Sequence, residues 1–143
     1  MKKEIAEKKL KKLLINEFYH TYEDCGVWSF GFSSKVWLIA QEIAFEDEDK
    51  INDALKTTGL KLLNPDSVEL AKSVLVARNK GYEVTNVSII KNSELLIEFE
   101  TGFNMIVKTD TDIVDWHWSL SEENTSPYHT KCIEACIHPS DYE

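Results

Sequence analysis

The spacing of hydrophobic residues predicts where helices lie in the first part of the chain. Apolar side chains recur every three or four residues across residues 3–23, which predicts an amphipathic N-terminal helix. An acidic run at residues 46–49 suits the start of a second helix, because anions are favoured at helix N-termini. Asn64 and Pro65 are typical of a third helix start, with Gly81 at its end.

Two further segments alternate with period two, which is the pattern of half-buried strands. The first segment begins after Gly26 and continues through a turn at residues 33–35. The second segment runs from Tyr82 to Leu120 and contains four alternating stretches separated by short turns. Short turns favour antiparallel neighbours, so we expect a meander. The predicted fold is α+β, an antiparallel β-meander sheet with the N-terminal and middle helices packed on one face.

The length of 143 residues fits one domain, and we interpret residues 1–143 as a single domain. Within it, Phe30–Ile39 aligns without gaps on Ile97–Ile106, and both segments have the pattern of a strand, a turn and a strand that follow a helix. Two explanations stay open. Either a helix-plus-hairpin unit is duplicated, or the match reflects the general similarity of any two hairpins.

The distribution of charge along the chain indicates which classes of partner it can bind. The formal net charge is −9, yet residues 1–12 carry six lysines against two glutamates, so the other 131 residues carry −13. Such an acidic body repels phosphate backbones and anionic lipid, which disfavours nucleic acid and membranes as partners. It would attract a basic protein surface. The alternative explanation is that acidity only maintains solubility.

The spacing of the cysteines and the sequence of the N-terminus indicate the cellular compartment in which we expect the protein. Cys25, Cys132 and Cys136 have no disulfide-framework spacing, and no apolar h-region follows the basic N-terminus. The longest apolar runs fall well short of the roughly 20 residues that span a bilayer. We therefore expect a cytoplasmic protein with reduced thiols.

The C-terminal tail contains a cluster of ligand-type side chains: His129, Cys132, Cys136 and His138. Zinc accepts this set, but one short helix would have difficulty wrapping four ligands around an ion. Packing of the cysteines on the body is the explanation we favour, so no metal or other cofactor is predicted. Likewise, the chain has no Gly-rich phosphate loop, dinucleotide fingerprint or HExxH helix. An enzyme is not expected, and Cys25 is interpreted as a core residue at a helix end.

Acidic residues surround the last alternating stretch of the predicted meander. If Trp116 and Trp118 face the core, Asp115 and His117 face outward beside further carboxylates. Aromatic anchors ringed by acids suit a basic partner, although burial of both tryptophans in the core is the simpler explanation for them. The predicted partner-binding residues are Asp110, Asp112, Asp115, His117, Glu122 and Glu123.

The C-terminal half also carries a pattern of strand residues, one glycine and one tryptophan: Val84, Val87, Leu95, Ile97, Phe99, Gly102, Met105, Val107, Trp118 and Leu120. This pattern resembles small bacterial proteins encoded beside polymorphic or contact-dependent-inhibition toxins as their immunity proteins. The N-terminal helix is not part of the resemblance.

The resemblance implies a small, acidic, cytoplasmic protein without enzymatic activity. Immunity proteins bind a cognate toxin domain, often a nuclease, and block its active site or an essential surface. A basic nuclease domain would be steered onto an acidic inhibitor, which agrees with the charge of this chain. The hypothesis is an immunity protein that neutralises a toxin by stoichiometric binding. The alternative is a non-catalytic adaptor or structural domain of a bacterial complex.

Overall fold

A computed structural model describes residues 3–57, 67–110 and 117–121 of the chain. The elements in chain order are α1 (Lys3–Leu14), β1 (Tyr19–Asp24), β2 (Trp28–Phe32), β3 (Trp37–Ala40), β4 (Ile43–Phe45), α2 (Glu48–Thr57), α3 (Ser67–Asn79), β5 (Val84–Ile89), a 3₁₀ turn (Lys91–Ser93), β6 (Leu95–Phe99), β7 (Met105–Val107) and β8 (Trp118–Ser121). Within these ranges, every helix is too short or too polar to cross a lipid bilayer.

The strands form two antiparallel four-stranded sheets. The first sheet has the order β1-β2-β3-β8, and the second has the order β4-β7-β6-β5. α1 packs against β5 and α3 against β4, so both helices contact the second sheet. Apolar side chains from both sheets, α1 and α3 share one hydrophobic core. The predicted α+β class, with antiparallel meander strands and the N-terminal and middle helices, is confirmed.

The fourth stretch of the predicted meander lies in the other sheet. β5, β6 and β7 are consecutive neighbours, but β8 pairs with β3, where Trp118 lies opposite Ala40. The free edge of β7 is occupied by β4, with Ile43 opposite Val107. The expectation of four consecutive meander strands is therefore wrong. Ten residues (108–117) separate β7 from β8, which is longer than a hairpin turn, and this length lets the chain cross to the first sheet.

The N-terminal helix is shorter than its hydrophobic pattern predicts. α1 ends at Leu14, and the rest of the segment predicted as helix turns into β1. Asn16 has a φ of 67°, a left-handed conformation that is common just beyond helix ends. Leu10 and Leu14 are buried as expected of the apolar stripe, whereas Phe18 is exposed.

Two units of the chain repeat the same geometry. Each consists of a helix and a three-stranded meander, followed by a strand that joins the other sheet. The pairing register shifts after the first residue of each meander, at Tyr19 in β1 and at Val84 in β5. The β2–β3 and β6–β7 turns each contain a positive-φ residue, Lys35 and Gly102, whose N–H donates to the carbonyl three residues earlier. Duplication and the general similarity of hairpins both stay open as explanations of these units.

Gly31 in β2 lies beneath two side chains. A methyl group at this position would lie 2.7 Å from Thr21 Cγ2 and 3.0 Å from the Trp37 ring. We expect Gly31→Ala to lower the free energy of unfolding by about 1–3 kcal/mol, because close-packed neighbours resist added volume. Urea denaturation measures this change. Adding Thr21→Ser, which removes Cγ2, should recover part of the loss, and an unaltered midpoint in Gly31→Ala would contradict the prediction.

Candidate partner-binding surface

The second sheet has a face that points away from the shared core. In β6, the buried residues Leu95, Ile97 and Phe99 alternate with the half-buried Leu96 and Glu98. Successive side chains of a strand point to opposite faces. Leu96 and Glu98 therefore belong to the side remote from the core, which we call the outer face.

The strand registers arrange the outer face in rows that run across the strands. Ala44 pairs with Ile106, Ile106 with Leu96, and Leu96 with Ser88, and all four residues are half-buried. These residues form the central row, which is apolar except for Ser88. The row on one side, called the first flanking row, contains Glu42, Lys108, Glu94 and Ile90. The row on the other side, called the second flanking row, contains Glu46, Asn104, Glu98 and Asn86.

An ion pair anchors the first flanking row. The Glu94 side chain is 7% exposed, and its Oε2 lies 2.7 Å from Lys108 Nζ. The hydrogen bond to Glu94 raises the pKa of Lys108 above its ordinary value, against a smaller opposing effect of burial, and the carboxylates of Glu94, Asp110 and Glu42 raise it further. Lys108 therefore stays cationic at neutral pH. A nucleophilic amine would need the opposite shift, so this pair suits a structural and electrostatic role.

Lys72 of α3 approaches the same row from the β4 edge. Its Nζ lies 3.8 Å from Glu42 Oε1 and 3.2 Å from Glu69 Oε1, and its side chain is 7% exposed. The Glu42 side chain, by contrast, is 49% exposed. The buried lysine thus positions a carboxylate that a partner can still reach.

Amide side chains orient the carboxylates of the second flanking row. Asn86 Nδ2 donates to Glu98 Oε2 at 3.0 Å, and Asn104 Nδ2 donates to Glu46 Oε2 at 3.3 Å. An amide is neutral, so these hydrogen bonds fix geometry without neutralising charge. The second flanking row therefore presents the negative charge of Glu46 and Glu98, neither of which forms an ion pair with another residue in the described part of the chain.

The start of α2 adds carboxylates beside Glu46. Asp47, Glu48 and Asp49 follow it directly, and Glu48 Oε2 accepts a hydrogen bond from the Phe45 N–H at 3.1 Å. Burial raises the pKa of Glu48, and the hydrogen bond from Phe45 opposes this rise. The Glu48 side chain thus stabilises the start of α2 by accepting this hydrogen bond, while Glu46 and Asp49 remain exposed.

Two of the predicted binding residues, Asp110 and His117, lie in the described part of the chain. The Asp110 side chain is 74% exposed and lies 3.8 Å from Lys108, so it extends the first flanking row. The His117 carbonyl accepts the Gln41 N–H, which places His117 beside the β3–β4 connection that contains Glu42. The other predicted residues, Asp112, Asp115, Glu122 and Glu123, lie outside the described residues.

The structure tests the predicted burial of Trp118 and of Cys25, and the two outcomes differ. Trp118 is fully buried, which confirms the simpler explanation of a core tryptophan. Cys25 is exposed, so its interpretation as a core residue is wrong. The prediction placed Cys25 at the end of the N-terminal helix, but that helix ends eleven residues earlier, at Leu14. Cys25 lies instead in the turn between β1 and β2. Trp116 lies outside the described residues.

The ligand-type cluster of the tail also falls outside the described residues: His129, Cys132, Cys136 and His138. In residues 3–57, 67–110 and 117–121, no group of three or more histidine, cysteine, aspartate or glutamate side chains is arranged to hold a metal ion.

Our sequence interpretation did not identify most of the outer face. The alternation in β6 and β7 already separates Leu96 and Ile106 from the buried positions, and this signal could have found the centre of the face. Glu42 and Glu46 gave no comparable signal. They reach the face because β4 pairs with β7, which is a contact between remote parts of the chain.

Comparisons with known proteins found no matching family model, no matching curated protein and no matching solved structure.

Proposed function

We propose that this chain is an immunity protein that binds a basic bacterial toxin domain in equimolar amounts and neutralises it without catalysis. The observation that carries the proposal is the outer face of the second sheet, where the apolar central row lies between two rows containing carboxylates. Protein interfaces commonly combine an apolar centre with a polar rim. This arrangement accounts for hydrophobic side chains on a face remote from the core.

The charge of the flanking rows supports a basic partner, and a nuclease is the kind of toxin we favour. A nuclease needs basic residues to hold the phosphate backbone of its substrate. The carboxylates of Glu46 and Glu98 would attract the same residues, and the exposed Asp110 would add to this attraction. An inhibitor bound to those basic residues of the nuclease would exclude the nucleic acid from the toxin.

The resemblance of the C-terminal strands to immunity proteins supports the same function. β5, β6 and β7 carry most of that pattern, and they also supply most of the outer face. In this proposal the protein acts in the bacterial cytoplasm, where it intercepts the toxin domain before the domain reaches its substrate.

The proposal is tested by purifying the tagged full chain from its source cells and identifying bound proteins by native mass spectrometry. We expect an equimolar complex with a basic domain. Expression of that domain alone should arrest growth, and co-expression with this chain should restore growth. A non-toxic subunit of a permanent assembly in its place would overturn the immunity function in favour of an adaptor role.

The second flanking row is expected to steer the toxin domain. Glu46→Gln with Glu98→Gln should slow association about tenfold at low ionic strength, because complementary charges mainly accelerate encounter. Stopped-flow fluorescence at low and at near-physiological salt measures this rate, and the difference should shrink at higher salt.

A matched control carries Glu23→Gln with Asp24→Asn at the end of β1 in the first sheet, where both side chains are exposed. It removes the same amount of charge and should change the rate less than about twofold if steering is local to the outer face. Equal slowing by both pairs would show that only the net charge matters.

A further inference from the structure

The three apolar residues of the central row form a strip one residue wide on β4, β7 and β6. They are Ala44, Ile106 and Leu96, which lie side by side. Neighbouring strands are about 4.8 Å apart, so the strip extends roughly 10 Å across the sheet. Along each strand, the next outward residue on either side lies about 7 Å away and belongs to a flanking row. The strip therefore runs across the strands.

The width of the strip determines which element of a partner can cover it. A second sheet packed on this face would bury several rows at once, including Glu46 and Glu98, whose described hydrogen-bond partners are neutral amides. Burial of carboxylates without cationic partners is costly. An α-helix presents only a narrow apolar stripe and leaves its flanks at the edge of the contact. A helix therefore suits a single apolar row between charged rows.

The dimensions of a helix match those of the rows. Two helical turns rise about 10.8 Å, which is the extent of the apolar strip. The two flanking rows are roughly 14 Å apart, slightly more than the 10–12 Å diameter of a helix with its side chains. Long basic side chains on both flanks would then reach Glu42 and Asp110 on one side, and Glu46 and Glu98 on the other.

We propose that the outer face binds an amphipathic helix of the toxin domain, laid across β4, β7 and β6, with its apolar stripe on the central row and lysine or arginine on both flanks. This inference rests on the proposed function and specifies the partner element. α1 of a second copy has a similar composition, but its apolar residues Ala6, Leu10 and Leu14 are buried in its own core. α1 of a second copy is therefore a poor fit, and we assign the basic helix to the toxin domain.

The first test uses two synthetic peptides of about 15 residues, because shorter isolated helices are marginal in water. Both carry the same leucine stripe, which is flanked by lysines in one peptide and by glutamates in the other. With the isotope-labelled full chain, the lysine peptide should shift the backbone amide NMR signals of β4, β6 and β7. It should bind at least about tenfold more tightly than the glutamate peptide. Shifts centred on other elements, or equal affinity of the peptides, would overturn the proposal.

Variants of the central row test the apolar part of the contact. Leu96→Gln with Ile106→Thr keeps strand-compatible residues and should weaken lysine-peptide binding about tenfold. Val74→Gln on α3 is the matched control, because it removes an exposed apolar side chain elsewhere and should leave the affinity within about twofold. Circular dichroism checks the fold of each variant. If the double variant unfolds, Glu46→Gln with Glu98→Gln provides the same test through charge.

The outcomes separate this inference from the proposed function. If the toxin domain binds the chain but the Leu96→Gln, Ile106→Thr variant binds it equally well, the helix proposal is wrong and the immunity function stands. If the lysine peptide binds the three strands as expected but the captured partner is non-toxic, the helix proposal is supported and the immunity function is wrong.

Discussion

Trp118→Ala is expected to lower the free energy of unfolding by about 4 kcal/mol, because truncation of a fully buried tryptophan removes apolar contacts and leaves a cavity. The indole is 0% exposed. Its Nε1 donates to the Ser93 carbonyl at 3.2 Å, although β8 belongs to the first sheet and Ser93 precedes β6 of the second. One side chain therefore connects the two sheets. Urea denaturation of the full chain, followed by fluorescence and circular dichroism, measures the loss.

Two variants separate the contributions to this loss. Trp118→Phe retains much of the apolar volume but removes the N–H donor, so we expect a smaller loss than for alanine. Trp37→Ala removes the same type of side chain from the half-buried position in β3 and should also cost less. Equal destabilisation by Trp37→Ala and Trp118→Ala would show that burial between the sheets does not set the size of the effect.

The side of the strand on which Trp118 lies was predictable, but the strand that pairs with β8 was not. Alternation is a local property, and it correctly predicted that Trp118 points to the core. Pairing depends on which edge is free after the other strands have assembled. Here β4 pairs with the outer edge of β7. β8 pairs instead with β3, which lies much earlier in the chain. No local pattern contains that information.

The end of α1 shows how tertiary contacts override a helical pattern. The stripe predicted through residue 23 continued at Phe18 and Tyr22, but Tyr19 lies off that stripe and is nevertheless buried in β1. Its hydroxyl donates to the Val76 carbonyl of α3, and burial raises the pKa of the phenol. Burial of this aromatic side chain and its hydrogen bond in the core favour the strand, whereas periodicity considers only neighbours along the chain.

The candidate site was predictable only in part for the same reason. The acidic character near residue 110 was visible in the sequence, and Asp110 does extend the first flanking row. Glu46 and Glu98 are far apart in the chain and reach one row through the pairing of β4 with β7 and of β7 with β6. Register across remote strands is set by the packed core, so the rows could be recognised only in the folded protein.

Lys108→Met is expected to lower the free energy of unfolding at neutral pH by about 3–5 kcal/mol, because it leaves the buried Glu94 carboxylate without its cation. Adding Glu94→Gln removes the unpaired charge and should restore most of the stability. Lys50→Met is the control. Lys50 is 83% exposed and pairs with Asp47 at 3.5 Å, so its loss should cost less than about 1 kcal/mol. Urea denaturation of all four proteins measures these differences.

The pH dependence of the free energy of unfolding in the same variants tests whether the charge of Lys108 causes the loss of stability. The pKa of Lys108 is raised in the folded protein, so its stabilising contribution is fully present below the ordinary lysine pKa of about 10.4 and is lost as the pH rises through the folded value. Tyr19, whose pKa burial also raises, loses stabilisation at alkaline pH in every variant. The gap between wild type and Lys108→Met should therefore narrow as the solution becomes strongly alkaline. A gap of constant size would mean that lost packing of the lysine stem, and not its charge, determines the effect.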